Sequence, residues 1–379
     1  MSEYQYYEFQ AVDRPLTEEE MRQLRAVSTR AHITPTRFVN EYHWGDFKGS
    51  PSEWMERYFD AFLYVANWGT RELMLRLPAS VLDADTADLY CRGDGAQAWP
   101  HDEFVVLAFE SQDDSGDSWD DDGSEWLPSL LPLRAEIAAG DHRALYLAWL
   151  LCAQSEELED EEEEPPVPPG LGEESGALKA FANFLRIDPD LVRVAAERSP
   201  PRPAAPGADE TRRWIAALPD AERVELLARV AGGAERQVRA ELIRRIHAHH
   251  APRPVADAAP RTVAELLEAA EHAADERRRA RAEAEARERA RREREAAEAR
   301  ERRLDQLAPR EEEAWERADA LAATKQPAAY DEAVALLADL RDLAAREGRA
   351  DAFSARLHLL RERHARKSSF LERLRKKVG

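Results

Sequence analysis

The stretch from Thr262 to Leu307 is built almost wholly of Arg, Glu and Ala, and no large apolar residue falls between Leu267 and Leu304. A segment with nothing apolar to bury cannot enter a core, so it must take up its structure in water. Acidic side chains precede Arg by four positions at Asp275–Arg279, Glu283–Arg287, Glu285–Arg289, Glu288–Arg292 and Glu298–Arg302. That order suits both the side-chain geometry and the dipole of a helix. The pattern predicts a solvated helix over 262–307, roughly 65 Å long if unbroken, which Pro309 stops. Large residues at a and d are missing, so a lone or loosely packed helix is expected, the alternative being an Ala-lined coiled-coil association.

Charge divides the rest of the chain unevenly. Of 379 residues, the first 200 carry 16 basic and 41 acidic side chains, a balance of −25, against +4 for the remainder. A front half of that sign repels phosphate backbones and anionic lipid heads, so nucleic acid is not an expected partner there. The clearest basic patch is Arg361 to Lys377. Cys91 and Cys152 are too few for a disulfide framework or a cysteine zinc site. Met1 to Phe9 lacks the basic-then-apolar pattern of a secretory signal. The longest apolar run, Ala144 to Ala153, is half of the roughly 20 residues that a membrane span needs. A cytoplasmic protein, with no membrane role and no cofactor, is the expectation.

The front of the chain reads as α+β. Tyr4 to Val12 alternates as a first strand. Thr17 and Glu20 are spaced as a capping box, with Leu16 and Met21 as its hydrophobic staple. Thr36 to Trp44 is extended, and Ser50-Pro51-Ser52-Glu53 starts a second helix. That helix is expected to run on through Trp54, Tyr58, Phe62 and Val65 until Gly69 ends it. Leu73, Leu75 and Leu77 mark a strand with one covered face, and Leu89 to Arg92 and Phe104 to Glu110 read as two more. The order predicts a ferredoxin-like sandwich, with helices on one face of an antiparallel sheet.

Beyond it the signals are helical. Asp113 to Glu125 packs seven carboxylates among Ser and Gly, and Glu156 to Glu164 is nearly unbroken acid before paired prolines; both are expected to be mobile. A calcium loop started at Ser118 would use Asp120 and Asp122, but Ser129 stands where its closing Glu should be. Leu127 to Ala153 is helical with a break at Gly140-Asp141, and Ala177 to Glu197 forms two short helices divided near Asp188-Pro189. The reading separates an α+β domain (1–112), an acidic loop (113–126), a helical region (127–199) with an acidic and Pro-rich linker (155–176), and a small helical module with Pro-rich connectors (200–261). The long charged helix (262–307) and C-terminal helical hairpins (308–379) follow. In the hairpins Trp315, Tyr330, Phe353 and Phe370 begin four apolar stripes, and no repeat of about 34 residues is present.

Few residues advertise chemistry. His43 and Asp46 flank a Trp-Gly turn and could pass a proton, or merely end a strand. His247, His249 and His250 close a helix, where cations suit the dipole better than a metal would. Cys91 lacks a sequence partner that would make it a nucleophile. Trp44, Asp46, Lys48, Trp68 and Arg71, as loop-edge aromatics and charges, are the candidate recognition surface.

The run Tyr6-Tyr7-Glu8-Phe9-Gln10-Ala11-Val12-Asp13-Arg14-Pro15-Leu16-Thr17, with His43-Trp44-Gly45-Asp46-Phe47-Lys48-Gly49 and Ala66-Asn67-Trp68-Gly69-Thr70-Arg71, resembles a group of uncharacterised bacterial cytosolic proteins. Tyr330-Asp331-Glu332-Ala333-Val334 through His364-Ala365-Arg366-Lys367 is similar to the tail of some bacterial SWIM zinc-finger proteins. The cysteines of the SWIM cluster are missing, so the resemblance implies no zinc here. Three functions are weighed. In the first, a protein–protein interaction scaffold or adaptor, the front binds a protein partner and the C-terminal helices dock or self-associate. The second is a nucleic-acid accessory factor, in which Phe104 to Phe109 would act as an RNA-recognition strand; the third is an enzyme without a familiar motif. The scaffold accounts for the charged helix and is preferred.

Overall fold

The computed structural model describes residues 3–113, 123–202, 207–233, 235–250, 259–324 and 326–378, the side chains of 208, 236, 237, 240 and 247–250 excepted. Most of the expected acidic loop, including Asp120 and Asp122 of the calcium template, and the side chains of His247, His249 and His250 lie outside the described residues. The chain divides into two compact units, Met1–Glu276 and Arg277–Gly379.

The first unit begins β1 (Gln5–Gln10), α1 (Glu18–Val27), β2 (His32–Thr34), β3 (Arg37–Tyr42), α2 (Pro51–Arg57), β4 (Ala61–Ala66), β5 (Arg71–Pro78), α3 (Ala84–Asp88), β6 (Ala96–His101) and β7 (Phe104–Ser111). All seven strands join one antiparallel sheet in the order β2-β3-β1-β4-β5-β7-β6. The capping box that starts α1 forms as expected, with the Thr17 side chain accepting from the Glu20 amide and the Glu20 carboxylate reaching back to Thr17. Ser50 accepts from the Glu53 amide at 3.3 Å and opens α2.

Side-chain alternation decides what covers the sheet. Phe9, Phe38, Phe62, Met74 and Val106 point to one face and pack on Leu24 of α1 and Trp54 and Met55 of α2. Tyr6, Leu63, Leu75, Leu77, Leu107 and Phe109 point to the other. That second face is covered by α4 (Trp126–Leu130), α5 (Pro132–Ala138), α6 (Arg143–Gln154), α7 (Gly176–Phe184) and α8 (Pro189–Ala196). The helices thus lie on both faces of seven strands, not on one face as the ferredoxin-like expectation had it. Region 127–199 shares the sheet's core instead of forming a separate one. At its centre is α6, buried from Arg143 to Ala153.

Two local expectations are corrected. The helix beginning at Pro51 stops at Arg57, and Phe62 and Val65 belong to β4. Tyr58 caps it, and Asp60 ties the start of β4 to its neighbours, its carboxylate accepting from the amides of Val12 and Asp13 at 2.6 and 2.9 Å and from Arg76 at 2.8 Å. Because β4 is covered on both faces, its residues do not alternate in polarity, and a continuous apolar run of this length reads equally well as helix. Leu89 to Arg92 is not a strand; it follows α3, and the strand lies later, at β6.

The acidic and Pro-rich segment 155–176 is packed. Leu158, Glu164 and Leu171 are buried. Glu164 takes a charge-assisted pair of hydrogen bonds from Arg261 at 2.6 and 2.8 Å, and the Tyr146 hydroxyl donates to it as well. Tyr90 donates to the Pro166 carbonyl, Arg143 to that of Gly170, and the Glu157 carboxylate accepts from the Gly95 amide. Composition alone reads such a run as solvated; here several acidic residues meet buried or backbone donors, and their carbonyls are used too. Asp160 and Glu162 accept from the amides of Ala264 and Val263, two of the donors that a helix start leaves unsatisfied.

After α9 (Ala208–Ala217), α10 (Asp220–Ala231) and α11 (Glu235–His250), the charged helix α12 (Val263–Leu307) runs 45 residues. Its first turns are not solvated: Val263, Leu266, Ala270 and Ala273 are buried in the first unit's core. From Arg277 to Arg303 the side chains are exposed except that of the partly buried Glu288. Glu283–Arg287 and Glu288–Arg292 pair as read from the sequence, at 3.2 and 2.9 Å, while Glu285 pairs with Arg281.

In the second unit, α13 (Glu311–Ala323), α14 (Pro327–Arg346), α15 (Ala350–Arg363) and α16 (Ser368–Val378) enclose a core of Trp315, Leu337, Leu340, Leu357, Phe370 and Leu374. Leu304 is buried and Leu307 packs against that core, and Arg300 and Arg303 of α12 pair with Asp342 and Asp339. Apolar and charged contacts therefore share the join.

Candidate functional site

The antiparallel register brings the predicted recognition residues to one end of the sheet. Gln5 at the start of β1 pairs with Tyr42 at the end of β3 and Ala66 at the end of β4. The loop 43–50 and the β4–β5 turn 67–70 therefore leave the same edge. Trp44, 70% exposed, lies under the Arg30 guanidinium at 5.0 Å; Trp68, 44% exposed, donates its indole N–H to Thr70 at 3.0 Å. Lys48 is exposed at the rim of a recess with Gln23, Glu53 and Arg57.

Arg71 does not belong with them. Its guanidinium donates to the Phe184 carbonyl at 3.2 Å and stacks over Trp126 and Phe184 at 5.1 and 5.7 Å. It clamps α4 and α7 to the sheet, because an arginine at a strand end can donate to carbonyls at a helix C-terminus while its planar face covers aromatic rings. Asp46 accepts from the Gln5 side chain at 3.2 Å, while His43 packs on Tyr4 with ring centroids 5.3 Å apart. The two are thus committed to different neighbours, and no proton relay forms between them.

Gln5, which sequence reasoning passed over, organises this end. Buried, it donates to Asp46 and to the Gly45 carbonyl, and its own carbonyl accepts from the hydroxyls of Tyr7 and Tyr64 at 2.8 and 3.1 Å. One amide thereby sets the loop bearing Trp44 against β4. Burial pushes the Tyr7 phenol up to about 12 and raises Tyr64 further, so both stay protonated donors at neutral pH. Opposite Tyr64 across the ladder is Glu72, and opposite Glu72 is Glu110. Burial, then the neighbouring Glu110 charge, lifts Glu72 to about 7. No motif marks this pair, since it exists only through cross-strand register.

The alternative functions find different surroundings. In Phe104 to Phe109, Val105, Leu107 and Phe109 lie in one core and Val106 and Ala108 in the other, so their side chains are not open to stacked bases. In the basic tail, Arg363 pairs with Asp319, Arg373 with Asp331 and Lys376 with Glu372. Cys91 is half-buried, and burial raises its thiol to about 12, far from a reactive thiolate. Among the described residues no group of three or more His, Cys, Asp or Glu side chains is placed to hold a metal ion, and no helix is long and apolar enough to cross a membrane. Comparisons of the chain with protein-family models, with curated proteins and with solved structures return no match.

Proposed function

We propose that the chain is a protein–protein interaction scaffold of the cytoplasm, which engages a protein partner through the sheet end carrying Trp44 and Trp68. The observation that carries the proposal is the presence of these two exposed indoles at the edge from which β3 and β4 both leave. Tryptophan is the side chain most often responsible for binding energy at protein interfaces, and exposing large apolar surface to water is unfavourable. Gln5 holds one of the two loops in place before a partner arrives, which lowers the ordering cost of binding. The charged helix supports the same reading. Its two ends are anchored in different cores and its middle satisfies itself by ion pairs, as a connector between two docking units would.

The test is affinity capture of the full chain beside a Trp44→Ala, Trp68→Ala double variant of unchanged melting temperature. A partner recovered by the parent and lost by the variant supports the assignment. Equal recovery of the same partner by both overturns it.

A further inference from the structure

At the opposite end of the sheet, where β1 and β5 finish, a cavity of about 990 Å³ opens between α3, α5, the segment 166–169 and α11. Its volume is that of a small-molecule site. Leu77, Val81, Leu82, Leu131 and Ile243 give it apolar walls.

The charges around it are unequally engaged. Asp13 is held by Arg134 at 3.0 Å, and Asp141 by Arg143 and Arg202 at 2.6 and 3.2 Å. Glu136 accepts from Ser175, and Asp83 caps α3 by accepting from the Thr86 amide at 2.8 Å, that bond first and the nearby Arg244 charge after it holding its carboxyl below the usual range. The cations of α11 are less committed. Arg244 donates one N–H to the Ser80 carbonyl at 2.9 Å, while its Nε is buried with no hydrogen-bond partner among the described residues. Arg239 lines the same wall with an exposed side chain. The Nε is shielded from the cavity, so the donors left for an anion there are the terminal nitrogens of Arg244, whose hydrogen bonds to an anion are charge-assisted. The backbone is shaped around this arginine: Gly140 has φ +85°, and a Cβ there would come within 3.3 Å of the Arg244 stem. Below, the Asp60 carboxylate accepts from the amides of Val12 and Asp13, which line the floor.

We propose that this cavity binds a small amphiphilic anion, its apolar body against Leu77, Val81, Leu82 and Ile243 and its single carboxylate or phosphate head on Arg244 and Arg239. The chemistry shared by both heads is a compact anion that accepts hydrogen bonds from a guanidinium fork; the apolar walls select for the attached hydrocarbon. The site is remote from the indole-bearing edge and independent of what docks there.

The test uses the full chain and the fluorescent amphiphilic anion 8-anilinonaphthalene-1-sulfonate, displaced by decanoate, decyl phosphate, decanol or decyltrimethylammonium. Saturable one-to-one displacement by decanoate or decyl phosphate, with the alcohol and the ammonium much weaker, is the expected result, and the tighter of the two anions names the head group. Arg244→Gln weakens the anion roughly ten-fold or more, the effect of losing a charge-assisted contact. Ala135→Phe, placed at an exposed position on the rim, narrows the mouth of the cavity without disturbing the core and weakens displacement. Trp44→Ala with Trp68→Ala leaves it unchanged. Equal displacement by decanol or the ammonium, no displacement by either anion, or undiminished binding by Ala135→Phe overturns the proposal. So does undiminished binding by Arg244→Gln of parental melting temperature.

Discussion

Glu164 and Arg261, 97 residues apart in the chain, form a buried ion pair with Oε1 and a guanidinium nitrogen 2.6 Å apart. Arg261 also donates to the Val194 carbonyl at 3.1 Å, and Glu164 accepts from Tyr146. The pair fastens the end of an acidic run to the second residue before the charged helix. Removing one partner strands the other in the interior. Arg261→Ala and Glu164→Ala are each expected to cost about 3–5 kcal/mol, whereas the double replacement Glu164→Leu, Arg261→Met should cost much less. Chemical unfolding of the four proteins, followed by the tryptophans of the first unit, measures the difference. A Leu/Met double variant as unstable as the single variants would remove the coupling claimed for the pair.

The cross-strand Glu72 gives stability a pH dependence of known sign. Its folded value of about 7 lies above the ordinary 4.5, so the folded state holds this proton more tightly than the unfolded chain. The contribution is full below pH 4.5 and is lost as pH climbs through 7. Glu72→Gln should match the parent at pH 4 and exceed it by about 1–3 kcal/mol at pH 8. Melting curves across that range check it, and a variant equal to the parent at both ends would refute the shift.

Of the five residues picked out as a recognition surface, Arg71 differs in kind. Trp44 stacks on the exposed Arg30 and Trp68 bonds only within its own turn, so their replacement by Ala should change stability by about 1 kcal/mol or less. Arg71→Ala loses the bond to Phe184 and the ring stacking, and should cost about 1–3 kcal/mol. Thermal denaturation of the single variants separates the two classes.

The β4–β5 turn tolerates no side chain at Gly69. Its φ is +108°, and a Cβ would stand 1.8 Å from the Asp113 backbone oxygen. Gly69→Ala combines strain with a clash against main chain and is expected to destabilise the first unit by more than about 2 kcal/mol. A calorimetric scan showing an unshifted transition would contradict the turn geometry.

The exposed part of α12 depends on propensity and ion pairs instead of packing. Ala284→Gly with Ala290→Gly should each cost about 1 kcal/mol of local helix stability. Amide hydrogen exchange over 277–299 should quicken while the melting of the first unit and of the α13–α16 core stays put. Loss of unit stability would mean that this stretch is packed.

What the chain could reveal by itself was whatever depends on near neighbours. The Thr17 and Ser50 caps, the stops at Gly140 and Pro309, the long charged helix and the four C-terminal stripes were all legible, because capping, proline geometry and helical periodicity act within a few residues. Contacts distant in sequence decided the rest. Whether Phe62 and Val65 are helix or strand turned on β1 and β5 lying on either side of them. Whether the run ending at Glu164 is solvated turned on Arg261, and whether Arg71 is free turned on α7 arriving beneath it. Burial and pairing are properties of the assembled fold; a residue's type sets only its cost when left alone.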